Sequence, residues 1–173
     1  MANNNYIITG GPGSGKTSLI NELSNRNFLS REEISRLIII KYQKQNIKYI
    51  PKSNFELYFN NCYNLMQNDE QYKSNVFTFF DRGIPDLLAY AKHYKFKPQN
   101  KLNFNFYNKT VFICPPWLDI YKNDHQRPES FDFSQQLYFT LIQTYKTLGY
   151  SPIVVPRCSI QNRTDFIIEY LSN

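Results

Sequence analysis

The chain has 173 residues, 42% of them hydrophobic and 20% charged, with a formal net charge of +6 at neutral pH. That length suits one globular domain with a sizeable core, residues 1–173 as a whole, and excludes a motor module joined to a separate effector domain. The basic residues are scattered rather than clustered, so the charge argues for solubility or a phosphorylated ligand and against a nucleic-acid surface.

Met1-Ala2-Asn3-Asn4-Asn5 lacks the basic start of a signal peptide. The apolar run Tyr6-Ile7-Ile8-Thr9 predicts a strand, and Ser14 to about Asn25 a first helix. Phe28-Leu29-Ser30 reads as a short strand, and Ile34 to Gln45 as a second helix. Pro51 breaks the chain; Ser53-x-x-Glu56 then gives a capping-box signature ahead of Phe55, Phe59, Cys62 and Met66 at helical spacing. Val76 to Phe80 is a β-prone run suited to a strand buried on both faces, ending at Asp81. Pro85 opens a helix toward Tyr94, and residues 95–109 form a connecting loop. Thr110 to Cys114 is a further strand, stopped by Pro115-Pro116. Leu137, Leu141, Tyr145 and Leu148 mark a helix ending at Gly149, and Ile153-Val154-Val155 leads into a last helix with Ile160, Ile167 and Leu171 on one side. Strands alternating with helices over short connections predict an α/β sandwich on a mainly parallel sheet, with ligands bound beyond the carboxyl ends of the strands.

No apolar run approaches the ~20 residues that span a bilayer. Cys62, Cys114 and Cys158 are odd in number and widely separated, which suggests neither a disulfide framework nor a zinc site. A soluble, cytoplasmic protein is expected; the oligomeric state is not readable.

Four of the 6 glycines fall in Gly10-Gly11-Pro12-Gly13-Ser14-Gly15-Lys16-Thr17, between the first strand and the first helix. This matches the G-x-x-x-x-G-K-[ST] phosphate loop, in which backbone N–H groups and the helix N-terminus cradle an anion. Gly11, Pro12, Gly13, Ser14, Gly15, Lys16, Thr17 and Ser18 are therefore the expected nucleotide-binding set. Lys16 is expected to reach the β- and γ-phosphates, and Thr17 to place its hydroxyl on Mg²⁺.

Asp81, at the end of its strand, completes a Mg²⁺ site with Thr17. Arg82 next to it orients an acceptor or phosphate. Glu33, after the short second strand, is the candidate base for an acceptor hydroxyl, with Arg36 three residues on as its acceptor-binding neighbour. The polar segment 117–130 is placed as a lid, with Arg127 as its phosphoryl-facing arginine. Lys122 is a weaker alternative to Arg127. Arg157, after the last strand, or Arg163 would stack on a nucleobase. His93 and His125 read as surface residues, and Trp117 as packing.

The blocks Thr9 to Thr17, Glu33-x-x-Arg36, Phe80-Asp81-Arg82-Gly83-x-Pro85-Asp86, Tyr121-x-x-Asp124-x-x-Arg127-x-Glu129 and Gly149-Tyr150 through Pro156 to Arg163 together resemble the NadR-type AAA-domain family. These are small P-loop ATPases or kinases, similar to the ribosylnicotinamide kinase domain of NadR and more distantly to thymidylate and deoxynucleoside kinases. The Asp-Arg-Gly-x-Pro-Asp block carries the resemblance. It implies a three-layer α/β/α P-loop fold with a five-stranded parallel sheet ordered 2-3-1-4-5. It also implies ATP with Mg²⁺ and phosphoryl transfer to a small, nucleoside-like or other hydroxyl acceptor. The alternative is a nucleotide-dependent ATPase or switch acting through a protein or lipid partner.

Overall fold

The computed structural model describes residues 3–71, 76–99, 101–122 and 129–172. Its strands are β1 (Asn5–Gly10), β2 (Leu29–Arg31), β3 (Thr78–Asp81), β4 (Thr110–Cys114) and β5 (Ser151–Val154). Between and after them run α1 (Lys16–Asn25), α2 (Ile34–Gln43), α3 (Ile50–Ser53), α4 (Phe55–Met66), α5 (Ile84–His93), α6 (Phe131–Thr147) and α7 (Ile160–Ser172). The strands pair in parallel in the order 2-3-1-4-5, as the resemblance implied.

The sheet sits between two apolar layers because its central strands send successive side chains to opposite faces. Ile7, Phe80, Val111 and Ile113 join Ile38, Phe59, Leu87 and Leu141 from α2, α4, α5 and α6. Their immediate neighbours Ile8, Phe79, Phe112 and Cys114 join Leu19 and Leu23 of α1 and Ile167 of α7 on the other side. Each large aliphatic or aromatic side chain fully withdrawn from water contributes about 1.5–3 kcal/mol, so one-residue register errors are strongly disfavoured.

Several element ends differ from expectation, each for a local reason. The third strand starts at Thr78 rather than Val76 because β1 begins at Asn5 and β2 at Leu29, both of which pair with Thr78; Val76 and Phe77 have no strand residue opposite them. The first helix starts at Lys16, since Gly15 before it takes φ 79°. Pro51 lies in the first turn of the short α3 rather than breaking the chain. The N-cap of α4 is Asn54, whose side chain accepts from the Leu57 amide at 3.0 Å, so Ser53 and Glu56 form no capping box. Gly149, at φ 77°, does follow the end of α6 as expected.

This topology places the site. β1 lies between β3 and β4, with Ile8 level with Asp81 and Gly10 level with Cys114. The turn after β1 therefore opens beside Asp81 and Arg82, and the Arg82 amide donates to the Ile8 carbonyl at 3.0 Å. β2 pairs Arg31 with Phe80, which carries Glu33 to the same end of the sheet.

Candidate active site

The loop between β1 and α1 is closed by glycine geometry and braced by two helices. At Gly15 a Cβ would come within 2.7 Å of Arg163 Nη1 and 3.0 Å of Ile120 Cδ1, at a φ that L side chains rarely adopt. Ser134 Oγ of α6 donates to the Pro12 carbonyl at 2.8 Å, and Arg163 Nη2 of α7 donates to the Ser14 carbonyl at 3.2 Å. Lys16 is buried, its Nζ donating to the Gly11 carbonyl at 2.8 Å and to Ser14 Oγ at 3.3 Å. A cavity of about 180 Å³ covers the loop from Pro12 to Ser18, walled by Arg36, Ile120 and Lys122.

A second cavity of about 300 Å³ adjoins the first, since Thr17 and Arg36 line both. It runs between α1 and α2 over the end of β2, with Glu32, Glu33, Arg31 and Asp81 as polar lining and Ile20, Leu37 and Ile40 as apolar lining. Thr17 and Asp81 thus face one space. One hydroxyl and one carboxylate suit Mg²⁺, which binds through one or two protein oxygens together with phosphates and water. Among the described residues no cluster of three or more His, Cys, Asp or Glu side chains offers an all-protein metal cage.

Behind this space lies a buried charged network. Arg82, in the left-handed region at φ 72°, donates from Nε to Glu33 Oε1 at 2.8 Å. Its Nη1 donates to the Gly10 carbonyl at 2.9 Å and lies 3.4 Å from Asp86 Oδ1. Asp86 in turn accepts from Thr9 Oγ1, the Tyr145 hydroxyl and, at 2.9 Å, the Gly83 amide. Burial alone would lower the Arg82 pKa; Tyr90, Glu33, Asp86 and Asp81 outweigh it and hold the guanidinium protonated. Burial and the neighbouring Asp86 carboxylate push the Tyr145 phenol well up, so it remains a donor. Glu33, itself the N-cap of α2, is only 7% exposed, and Arg36 Nε stands 4.0 Å from its Oε2.

The structure brings Lys16, Thr17, Asp81, Glu33 and Arg36 around the two joined cavities. Ser18 lines the first with the rest of the loop, and Lys122 faces it. Arg82 is not an open acceptor-binding side chain: its Nε and Nη1 hold Glu33, Gly10 and Asp86. Arg157 is exposed and lines neither cavity. Arg163, expected at a nucleobase, is instead buried beneath the phosphate loop. His93 is exposed, with its ring edge on Phe133. Arg127, Asp124 and His125 lie outside the described residues. Sequence reasoning assigned no role to Asp86, Thr9, Tyr145 or Ser134. Asp86 had a signal, three residues past Gly83 in the Asp-Arg-Gly-x-Pro-Asp block; the others are aligned only by the fold.

The family profile described as AAA domain matches residues 5–163. The chain belongs to the AAA domain family. No curated protein matches it in sequence. Among solved structures this AAA domain is similar to deoxyadenosine kinase from M. mycoides with bound dATP, with TM-score 0.65 and 15% identity over 98% of this chain and 100% of that one. It is similar to NadR in complex with NR, with TM-score 0.67 and 14% identity over 98% of this chain and 51% of that one. Shikimate kinase from Acinetobacter baumannii in complex with shikimate follows, with TM-score 0.61 and 15% identity over 98% and 93% of the two chains. The AAA domain therefore has a P-loop kinase-like fold, and among its described residues no helix is long and apolar enough to cross a membrane.

Proposed function

We propose that the protein is an ATP- and Mg²⁺-dependent phosphotransferase that moves the γ-phosphoryl group to a hydroxyl of a small, nucleoside-like acceptor. One observation carries this reading: a carboxylate, Glu33, is held by a buried arginine in a cleft that adjoins the phosphate loop. A motor ATPase needs no second, partly apolar cavity beside its triphosphate; a kinase needs one for its acceptor.

The loop amides and Lys16 bind the phosphates, while Thr17 and Asp81 hold the Mg²⁺ that neutralises them. The acceptor lies against Ile20, Leu37 and Ile40, with its hydroxyl toward Glu33. Glu33 takes the hydroxyl proton as the acceptor oxygen bonds to the γ-phosphorus, and the bond from that phosphorus to the β,γ-bridging oxygen breaks to release ADP. Arg36, which lines both cavities, balances charge between donor and acceptor.

The test is ADP formation from MgATP across a panel of nucleosides, nucleotides, nicotinamide riboside and shikimate. Acceptor-dependent ADP with a phosphorylated product is expected, and Glu33→Gln should lower turnover by roughly 10²–10⁴-fold while keeping nucleotide binding. Turnover that survives Glu33→Gln removes Glu33 as the base. ADP formation that no small acceptor stimulates, and a protein or lipid partner does, would replace the kinase reading with the nucleotide-switch one.

A further inference from the structure

Arg163 is the largest fully buried side chain described, with 2% of its surface exposed, and it sits on the first turns of α7 directly behind the phosphate loop. Its Nη2 donates to the Ser14 carbonyl at 3.2 Å, and its Nη1 occupies the space that a Cβ on Gly15 would need. The guanidinium also lies against the Cys114 thiol at the end of β4. Among the described residues no carboxylate pairs with it, and its buried Nε has no hydrogen-bond partner. A buried cation without an anion is costly, so proteins retain one where an anion arrives.

The position of the contact decides what that anion is. The Ser14 carbonyl and the Gly15 N–H belong to one peptide unit. A guanidinium on the oxygen pulls electron density from the nitrogen, making that N–H a stronger donor into the loop, and it fixes the plane of the peptide. From these contacts we infer that Arg163 is a positioning residue of the phosphate site, which aims and polarises the Ser14–Gly15 peptide and supplies counter-charge for a polyphosphate. This rests on the loop's binding a polyphosphate but not on transfer to any acceptor.

The experiment is calorimetric binding of MgADP and, separately, of inorganic tripolyphosphate with Mg²⁺, to the wild-type protein, Arg163→Met and Arg163→Lys. Each protein's unliganded thermal midpoint is measured alongside. Arg163→Met is expected to weaken both ligands by about 10–30-fold without a matching fall in the midpoint, and Arg163→Lys to restore part of the loss. Should Arg163→Met not fold, Arg163→Lys decides alone, with both ligands weakened about 3–10-fold. Weaker ADP binding with unchanged tripolyphosphate binding would make Arg163 a base contact and overturn the inference. Unchanged affinities with a lowered midpoint would make it a structural brace, which also overturns it. Wild-type protein that binds neither ligand would remove the loop as a polyphosphate site, and the inference with it.

Discussion

Arg82 takes a left-handed backbone that costs a non-glycine residue roughly 1–2 kcal/mol. In that conformation its fork reaches two carboxylates and a carbonyl, and charge-assisted hydrogen bonds of about 1.5–3 kcal/mol each outweigh the strain. Asp69 shows the opposite balance. Burial raises its pKa from 3.8 to about 6, against the hydrogen bond from Tyr107 and the charge of Arg31. A carboxyl whose folded pKa is raised adds stability that is complete below about pH 4 and is lost as pH climbs through about 6. Asp69→Asn should therefore flatten the pH dependence of the urea midpoint between pH 4 and 6. It should also be the more stable form at pH 7, by roughly 1–2 kcal/mol after allowance for partial solvation. Parallel curves for the two proteins would exclude Asp69 as the titrating group.

The start of α5 is the element on which the site turns. The Gly83 amide donates to Asp86 Oδ2 and the Asp86 amide to the Gly83 carbonyl, both at 2.9 Å, so the turn after β3 and the first turn of α5 move as one piece. A Cβ at Gly83 would meet Ile7 Cδ1 at 2.5 Å and Tyr107 Cε2 at 3.2 Å, both buried. Gly83→Ala should cost about 1–3 kcal/mol in urea unfolding by overpacking; a change below about 0.5 kcal/mol would mean that β1 yields there. At this scale the sequence was readable wherever a periodic run met a glycine or proline. β4 matches its expected bounds, and α5 and α6 their cores, because Pro115, Pro85 and Gly149 punctuate them. The capping residue of α4 was misread because Ser53 and Asn54 are both good caps, and only the short α3 shows which one is free. The site divided in the same way. Contiguous motifs gave the phosphate loop, Asp81 and Glu33, whereas the burial of Arg82 and the inward face of Arg163 depend on which helices pack behind them.

Across the whole molecule, the phosphate loop touches all three layers: α1 follows it, Ser134 of α6 and Arg163 of α7 hold its carbonyls, and Arg82 holds its first residue. A ligand there should stabilise the entire fold. At a hundredfold excess over its Kd, MgADP should add about 2.7 kcal/mol, seen as a rise of roughly 5–10 °C in thermal midpoint for a domain of this size. Lys16→Ala should abolish most of that rise while leaving the unliganded midpoint close to wild type. A full rise in Lys16→Ala would place the ligand outside the loop.

The network behind the cleft joins residues that are far apart along the chain: Glu33 and Arg82 by 49 positions, Tyr145 and Asp86 by 59, Thr9 and Asp86 by 77. The phosphate loop is a local turn, but its braces are more distant still: Ser134 reaches Pro12 across 122 positions and Arg163 reaches Ser14 across 149. The braced loop waits for α6 and α7 to dock, just as the orientation of Glu33 waits for β1, β3 and α6. A chain caught half-folded should therefore have neither a braced loop nor an aimed carboxylate, and the two halves of the site are expected to appear together.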